Sequence, residues 1–405
     1  MPERDAASFI AQSDRFGARN YAPVDVVLTR GERAFVWDVE GRRYFDFLSA
    51  YSAASQGHCH PKIVAALVEQ ASRLALPSRA FYNDRMGAML ERVAGVTGFA
   101  KVLPMNTGTE AVETAIKAMR RWGYEKKGVP DGEAEIVVAE GNFHGRSTTI
   151  VGFSDEPAHA RHFGPPTPGF RLVPFGDEAA LAAAIGPRTV GVLLEPIQGE
   201  GGVRIPPAGY LARVRALCTQ QRVLLAWDEV QTGLGRTGRM FAFEHEGARP
   251  DVLVLGKALS GGMYPVSCIA ADDEVMSVFT PGSHGSTYGG NPIAAAVTLA
   301  ALDVIEDERL PERAARLGEH ALARLRAEVG TKPGVREVRG RGLMMAIEYD
   351  ADVAHDVAHR LARAGVLAKD TRRAVVRLMP PLVIEPAELD EALDAAIPVL
   401  AKPVG

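Results

Sequence analysis

Cysteine is scarce in this chain: Cys59, Cys218 and Cys268 are the only three in 405 residues, far apart and with no CxxC pair. That excludes a disulfide framework and offers neither a redox motif nor a structural zinc site. It suits a reducing, cytoplasmic setting. No run of about 18 apolar residues occurs, so no membrane span is expected. The opening stretch MPERDAASFIAQSDRFGARNY has no apolar core of signal-peptide length, and it carries acids that transit peptides tend to lack. Positive charge is not in excess either. The formal net charge of -4 argues against a nucleic-acid partner, which calls for a basic face or stripe. Internal repeats and low-complexity tracts are missing as well.

What is present is ordinary globular material, 47% apolar and 24% charged. The length suits a large α/β domain plus a smaller one. Residues 34–38 and 43–47 read as strands of a meander turning at Glu40-Gly41. Pro61 opens a helix where its missing N–H costs nothing, and Ile63, Leu67, Val68, Ala71 and Leu74 follow at helical spacing. From about residue 100 the rhythm is strand, loop, helix. Runs at 136–139, 190–194, 223–227 and 252–255 are rich in Val, Ile and Leu on both faces, as the interior of a parallel sheet requires. Helical stretches such as Tyr210–Gln220 lie between them, giving a doubly wound α/β pattern. After about residue 305 come a helix (311–329), a strand (343–348), a helix (353–364), a strand (375–378) and a helix from Pro386. The expected division is an N-terminal segment 1–55 that joins a small domain, a large domain 56–305 and a C-terminal α+β domain 306–405.

In an open parallel sheet, ligands sit beyond the carboxyl ends of the strands. Asp228 follows one strand run, Glu195 another, and Lys257 a third with Gly256 between; the loop 141–146, GNFHGR, follows the first. Pyridoxal 5'-phosphate needs such a set. A lysine amine binds its aldehyde, a carboxylate keeps the pyridine nitrogen protonated, a flat side chain covers the ring, and free amides at a helix start hold the phosphate. Asn106-Thr107-Gly108-Thr109-Glu110 supplies the last, opening a helix over 111–122. Taken singly, each element has a plainer reading: Lys257 as a surface lysine, Asp228 as an N-cap, Gly108-Thr109 as a turn. Gly256-Lys257 is no P-loop, because Asp251 and Ala258 stand where that motif wants Gly and Ser or Thr. His58-Cys59-His60 has no fourth ligand in view, so no metal site is expected. The order and spacing of the whole set carry the signal.

That order resembles class III aminotransferases. The stretch LAWDEVQTGLGRTG followed by PDVLVLGKALSGGMYPVS is similar to their cofactor-binding segments, and the resemblance runs from about Asn20 to the end. It implies a fold type I transferase: a large domain with a mostly parallel seven-stranded sheet and a smaller α+β domain. It further implies that Lys257 forms the Schiff base, Asp228 contacts the pyridine nitrogen and Gln231 the ring oxygen. Phe143 stacks on the ring, with Gly108 and Thr109 at the phosphate. HGSTYGGNP at 284–292 looks like the family's segment that reaches the partner's phosphate in a homodimer with shared active sites, through Ser286 and Thr287.

Within the class, FDFLSAYSAASQGHCHPKI, SRAFYND, KVLPMNTGTEAVETAIK, EPIQGEGGV and RLMPPLVI resemble the ornithine δ-aminotransferases. The resemblance implies that Tyr51, Tyr82 and Arg146 grip the α-amino and α-carboxylate end of ornithine, so that the δ-amine reacts. A substrate with two amines must be anchored by one end, and a guanidinium is the natural anchor for a carboxylate. It also implies that Glu200 masks Arg377 while ornithine is bound and frees it for 2-oxoglutarate; an ordinary structural ion pair is the plainer reading. One departure is His144, where some relatives carry Trp; the acetylornithine enzymes share the FHGR loop, so the loop does not discriminate. The expected reaction is transfer of the δ-amino group of L-ornithine to 2-oxoglutarate. The alternatives are N-acetylornithine or another ω-amino acid as donor on the same scaffold, an aminomutase or epimerase using the same cofactor, and a non-catalytic binding protein.

Overall fold

Short apolar runs closed by glycine-containing loops give strands, and longer amphipathic stretches with capping residues give helices. The structure, a computed structural model, describes residues 5–402, so the outer ends of the expected segments 1–55 and 306–405 lie outside it. In chain order the strands are β1 (Leu28–Glu32), β2 (Phe35–Asp38), β3 (Arg43–Asp46), β4 (Lys101–Met105), β5 (Glu135–Ala139), β6 (Phe170–Val173) and β7 (Thr189–Leu194). There follow β8 (Leu224–Asp228), β9 (Val252–Leu255), β10 (Ser267–Ala271), β11 (Val335–Arg341), β12 (Met344–Tyr349), β13 (Val366–Leu367), β14 (Lys369–Thr371) and β15 (Val375–Leu378).

Seven of these form the central sheet, in the order β4-β10-β9-β8-β7-β5-β6. It is the mostly parallel seven-stranded sheet expected; only β10 runs against its neighbours β4 and β9. Every residue of β7, β8, β9 and β10 is buried, because helices cover both faces. The pleat sorts their side chains with period two. Leu225, Trp227, Leu253 and Leu255 join one core layer, whereas Leu224, Ala226, Val252 and Val254 join the other. The Trp227 indole N–H donates to the carbonyl of Ala248 at 2.8 Å, so the largest core side chain is also satisfied. Truncating it to Ala is expected to cost about 3–5 kcal/mol.

Two further sheets complete the molecule. One is antiparallel, in the order β11-β12-β15-β14; the other, β1-β2-β3-β13, is the N-terminal meander with β13 added in parallel to β3. The smaller unit is the expected α+β one, and the structure shows its sheet to be antiparallel. Among the described residues, no helix is long and apolar enough to cross a membrane. His58 and His60 turn to different carboxylates, Asp46 at 2.7 Å and Glu308 at 2.9 Å, while Cys59 is exposed. The helix Pro61–Ala71 stops short of Leu74, and Val68 on its surface is 62% exposed.

Directly after β3 the backbone does something unusual. Ser49, Ala50, Tyr51 and Ser52 have φ of 43°, 47°, 58° and 75°, four consecutive non-glycine residues in the left-handed region. Such a conformation costs roughly 1–2 kcal/mol per residue. Asp46 Oδ1 accepts the amides of Leu48 and Ser49 at the entrance to the turn.

Candidate active site

Three strand ends and two loops build the site. Asp228 is the last residue of β8 and only 5% exposed. Its Oδ1 accepts the Val230 amide at 3.0 Å, and its Oδ2 lies 2.7 Å from Nδ1 of His144. Burial alone would lower the pKa of His144, but the hydrogen bond to Asp228 outweighs it and holds the imidazole above its ordinary value. Lys257 follows β9 by two residues, at a left-handed φ of 46°. Strained backbone of this kind persists where surrounding structure over-determines it. Burial depresses the lysine's pKa although Glu200 and Asp228 lie near, which leaves more of its amine uncharged at neutral pH. Glu195 directly follows β7. Burial pushes its pKa up to about 7, and it accepts the Phe143 amide at 3.1 Å.

These ends enclose a cavity of about 190 Å³ whose lining includes Lys257, Asp228, Gln231, Glu200, Phe143 and the helix start at Gly108 and Thr109. Gly108 and Thr109 open the helix Gly108–Trp122, whose N-cap Thr107 and Glu110 form a capping box. The amides of the first helical positions have no carbonyl inside the helix to bind and face an incoming anion. A Cβ on Gly145 would collide with the side chain of Thr109, so the GNFHGR loop approaches the helix start at backbone distance. Oε1 of Gln231 is buried with no partner among the described residues.

The donor set therefore fits pyridoxal 5'-phosphate. An amine, a carboxylate behind it, an amide oxygen left unpaired at the wall, an aromatic ring and a helix start all face one small cavity. Lys257 would hold the aldehyde carbon, Asp228 would face the ring nitrogen, Phe143 would cover the ring, and Gly108 and Thr109 would meet the phosphate.

The residues expected to bind substrate, and Ser286 and Thr287 expected at the partner's phosphate, lie at varying distance from this cavity. Arg377 on β15 is buried, and its Nη1 lies 2.5 Å from Oε1 of Glu200. Burial would push Glu200 up, but the Arg377 charge beside it dominates and holds the carboxyl below its usual range. The Gln231 amide also donates to Glu200 Oε1, at 3.4 Å. The Tyr51 ring sits 5.2 Å from the Arg377 guanidinium, and burial raises the phenol's pKa against that cation. Arg146 is exposed above Phe143, 5.8 Å from its ring, with Nη2 3.1 Å from His159. Tyr51, Arg146 and Arg377 do not line the cavity itself, and neither do Tyr82, Ser286 and Thr287. Tyr82 is 98% exposed, Thr287 is exposed, and Ser286 accepts a hydrogen bond from Asn106 at 2.9 Å beside the helix start.

Sequence reasoning gave no role to three groups. His144 was visible only as a departure from Trp, yet it is the direct partner of Asp228. Glu195 was visible as an acid after a strand, without a sign that it holds the Phe143 backbone. Arg236, wholly buried, lies in a GRTG stretch with no signal that it crosses to residues 49–55.

The family model described as Aminotransferase class-III matches residues 16–400. An ornithine aminotransferase from Bordetella pertussis is 54% identical over 403 residues, which cover 99% of this chain and 97% of that protein. The solved ornithine aminotransferase from Toxoplasma gondii, described with partial occupancy of pyridoxal phosphate at its active site, is 44% identical. It superposes with a TM-score of 0.98 over 99% of this chain and 95% of its own. An acetylornithine aminotransferase from Elizabethkingia anophelis is 49% identical with a TM-score of 0.91, over 98% of this chain and all of that one (100%).

Proposed function

The chain belongs to the class-III aminotransferases, and on that premise we propose that it moves the δ-amino group of L-ornithine to 2-oxoglutarate. The products are glutamate 5-semialdehyde, which cyclises to pyrroline-5-carboxylate, and L-glutamate. Pyridoxal 5'-phosphate is the cofactor; when bound, it supplies an aldehyde that takes the amino group and a heterocycle that takes up the electron pair left at the substrate carbon.

The chain's own residues do the rest. Lys257, whose charged form burial disfavours, takes the proton from the δ-carbon and returns it on the far side of the transfer. Asp228, braced by His144 and the Val230 amide, keeps negative charge fixed at the sheet edge. Arg146 and the hydroxyls of Tyr51 and Tyr82 hold the α-carboxylate and α-amine, so that only the δ-amine reaches Lys257. Phe143, held through its amide by Glu195, closes one face of the cavity.

The observation that carries this reading is the buried Arg377 paired to Glu200 beside Lys257. While paired, the arginine presents no net charge to a substrate anchored at its other end. Released, it is a carboxylate site for the second substrate, 2-oxoglutarate. The exposed apolar side chains Leu74, Leu76, Phe81, Tyr82 and Tyr288 support a homodimer in which Tyr82, Ser286 and Thr287 reach the partner's site. Three scattered cysteines without a disulfide support a cytoplasmic location.

The test is a donor panel of L-ornithine, N-acetylornithine, 4-aminobutyrate and lysine, with 2-oxoglutarate as acceptor and pyrroline-5-carboxylate trapped as product. Ornithine is expected to lead. A clear preference for N-acetylornithine overturns the assignment of Tyr51 and Tyr82 to a free α-amine.

A further inference from the structure

We propose that Arg236, which does not line the active-site cavity, is the positioning residue that sets Tyr51 against Arg377 and thereby fixes the anchoring of ornithine; this rests on the reading of Tyr51 as a substrate anchor. Arg236 lies eight residues past Asp228 in the loop after β8, and its side chain is fully enclosed. One guanidinium there ties together three distant segments. Nη1 donates to the carbonyls of Leu343 at 3.0 Å and Pro380 at 2.6 Å. Nη2 donates to the hydroxyls of Ser49 at 3.2 Å and Ser55 at 3.0 Å. Pro380 is three residues beyond Arg377, and Ser49 and Ser55 bracket Tyr51.

The hydroxyls leave no freedom in how this brace is wired. Ser49 donates its one proton to the Met379 carbonyl at 2.7 Å, and Ser55 donates its own to the Ser52 carbonyl at 2.8 Å. Each hydroxyl can therefore only accept from Arg236. The turn so held is the left-handed stretch Ser49 to Ser52, with no glycine to make that conformation natural. A strained turn needs something outside itself to keep its shape, and here that support is a buried cation anchored on the strand end that carries Arg377. The result is the 5.2 Å separation of the Tyr51 ring from the Arg377 guanidinium.

Replacing Arg236 itself risks the fold, because two carbonyls and two hydroxyls would lose their partner. The cleaner variants are Ser55→Ala, alone and together with Ser49→Ala, compared with Tyr51→Ala in the holoenzyme. The double variant is expected to raise the KM for ornithine by about tenfold or more, the scale of hydrogen bonds to a charged group. The KM for 2-oxoglutarate should hold to within about twofold, because Arg377 keeps its pairing with Glu200. A fall in Tm with both KM values unchanged, or a parallel rise of both, overturns the proposal and leaves Arg236 a pin of the core. If Tyr51→Ala raises the ornithine KM and the serine variants do not, the brace alone falls. If Tyr51→Ala leaves that KM unchanged, the anchor reading falls with it.

Discussion

Replacing Glu200 by Gln removes one negative charge from beside Arg377 while keeping the size of the side chain and its ability to hydrogen bond. In the wild type, Oε1 of Glu200 lies 2.5 Å from Nη1 of an arginine whose side chain is 1% exposed, whereas the glutamate side chain is 26% exposed. A dicarboxylate that needs Arg377 must first displace this carboxylate. Exchanging a charge-assisted hydrogen bond for a neutral one is worth about 1–1.5 kcal/mol. The KM for 2-oxoglutarate is therefore expected to fall by roughly five- to tenfold. The donor side moves the other way. With Arg377 unmasked, the α-carboxylate of ornithine has a second place to bind, with the wrong amine toward Lys257, and kcat/KM for ornithine should fall by about tenfold for a similar energy. Glutamate, the amine that belongs with the unmasked arginine, should improve as 2-oxoglutarate does.

The assay is a pair of single-turnover half-reactions, ornithine and glutamate each mixed with the cofactor-loaded enzyme, followed by the cofactor's absorbance. The two shifts multiply, so the ratio of glutamate to ornithine kcat/KM should rise by roughly 50- to 100-fold in Glu200→Gln. A ratio within about twofold of wild type, in a protein whose Tm shows it folded, refutes the reasoning. Glu200 and Arg377 would then be a structural ion pair and nothing more.

Other predictions follow from the same geometry. Lys257→Ala should leave the fold intact by circular dichroism and lower turnover by at least about 10²–10⁴-fold, the contribution of a positioned proton-transfer group. Arg146→Ala should raise the ornithine KM by roughly 10- to 100-fold through loss of a charged hydrogen-bonding anchor, read from initial rates. Gly145→Ala puts a Cβ against Thr109 at a left-handed φ of 126°, and should weaken cofactor retention on dialysis, read as lost visible absorbance. Glu229 is wholly buried, accepts from Ala242, Phe243 and Thr232, and is pushed by burial up to about 7 from its ordinary 4.5. The folded state then holds a proton that the unfolded state releases, so wild-type stability should fall between pH 4.5 and 7, by on the order of 3 kcal/mol. In Glu229→Gln that loss should vanish, and denaturant melts at pH 5 and pH 8 should show the variant gaining on wild type as pH rises.

The elements most legible in the sequence were those whose burial is continuous. β8 and β9 show as runs of Val, Leu and Ala because both faces of the sheet are covered. The helix Gly108–Trp122 shows because its start combines a capping box with small residues. Lys257 and Asp228 could be paired from sequence because strand ends in a parallel sheet share one edge. What could not be read was lateral packing. Nothing local marks His144 as the partner of a carboxylate 84 positions on, or Arg236 as a brace to hydroxyls more than 180 positions back. Nor does a turn made of Ser, Ala, Tyr and Ser carry any sign of left-handed backbone, which propensity assigns to Gly or Asn. The turn is held from two distant segments, by Met379 and Arg236, and such contacts exist only once the chain has folded.

The same contrast between fixed and free parts bears on which member of the Glu200–Arg377 pair would move in the proposed exchange of substrates. Arg377 lies within a strand paired on both sides, opposite Ala346 on β12 and Lys369 on β14, and its guanidinium rests beside the Tyr51 ring. Swinging it out would uncover the half-buried Tyr51 ring and pull a buried cation from the pocket that holds it, whereas removing its partner alone leaves it in place. Glu200 stands on a loop with Gly199 on one side and Gly201 and Gly202 on the other, and its side chain is already part exposed. Its backbone is pinned, the carbonyl accepting from Thr371 at 2.7 Å. The side chain alone is thus free to rotate, and rotation about two or three bonds is fast compared with turnover. On the proposed function, a site that accepts a dibasic amino acid and then a dicarboxylate would alternate in this way without shifting a strand, with the arginine as the fixed site and the glutamate as its movable cover.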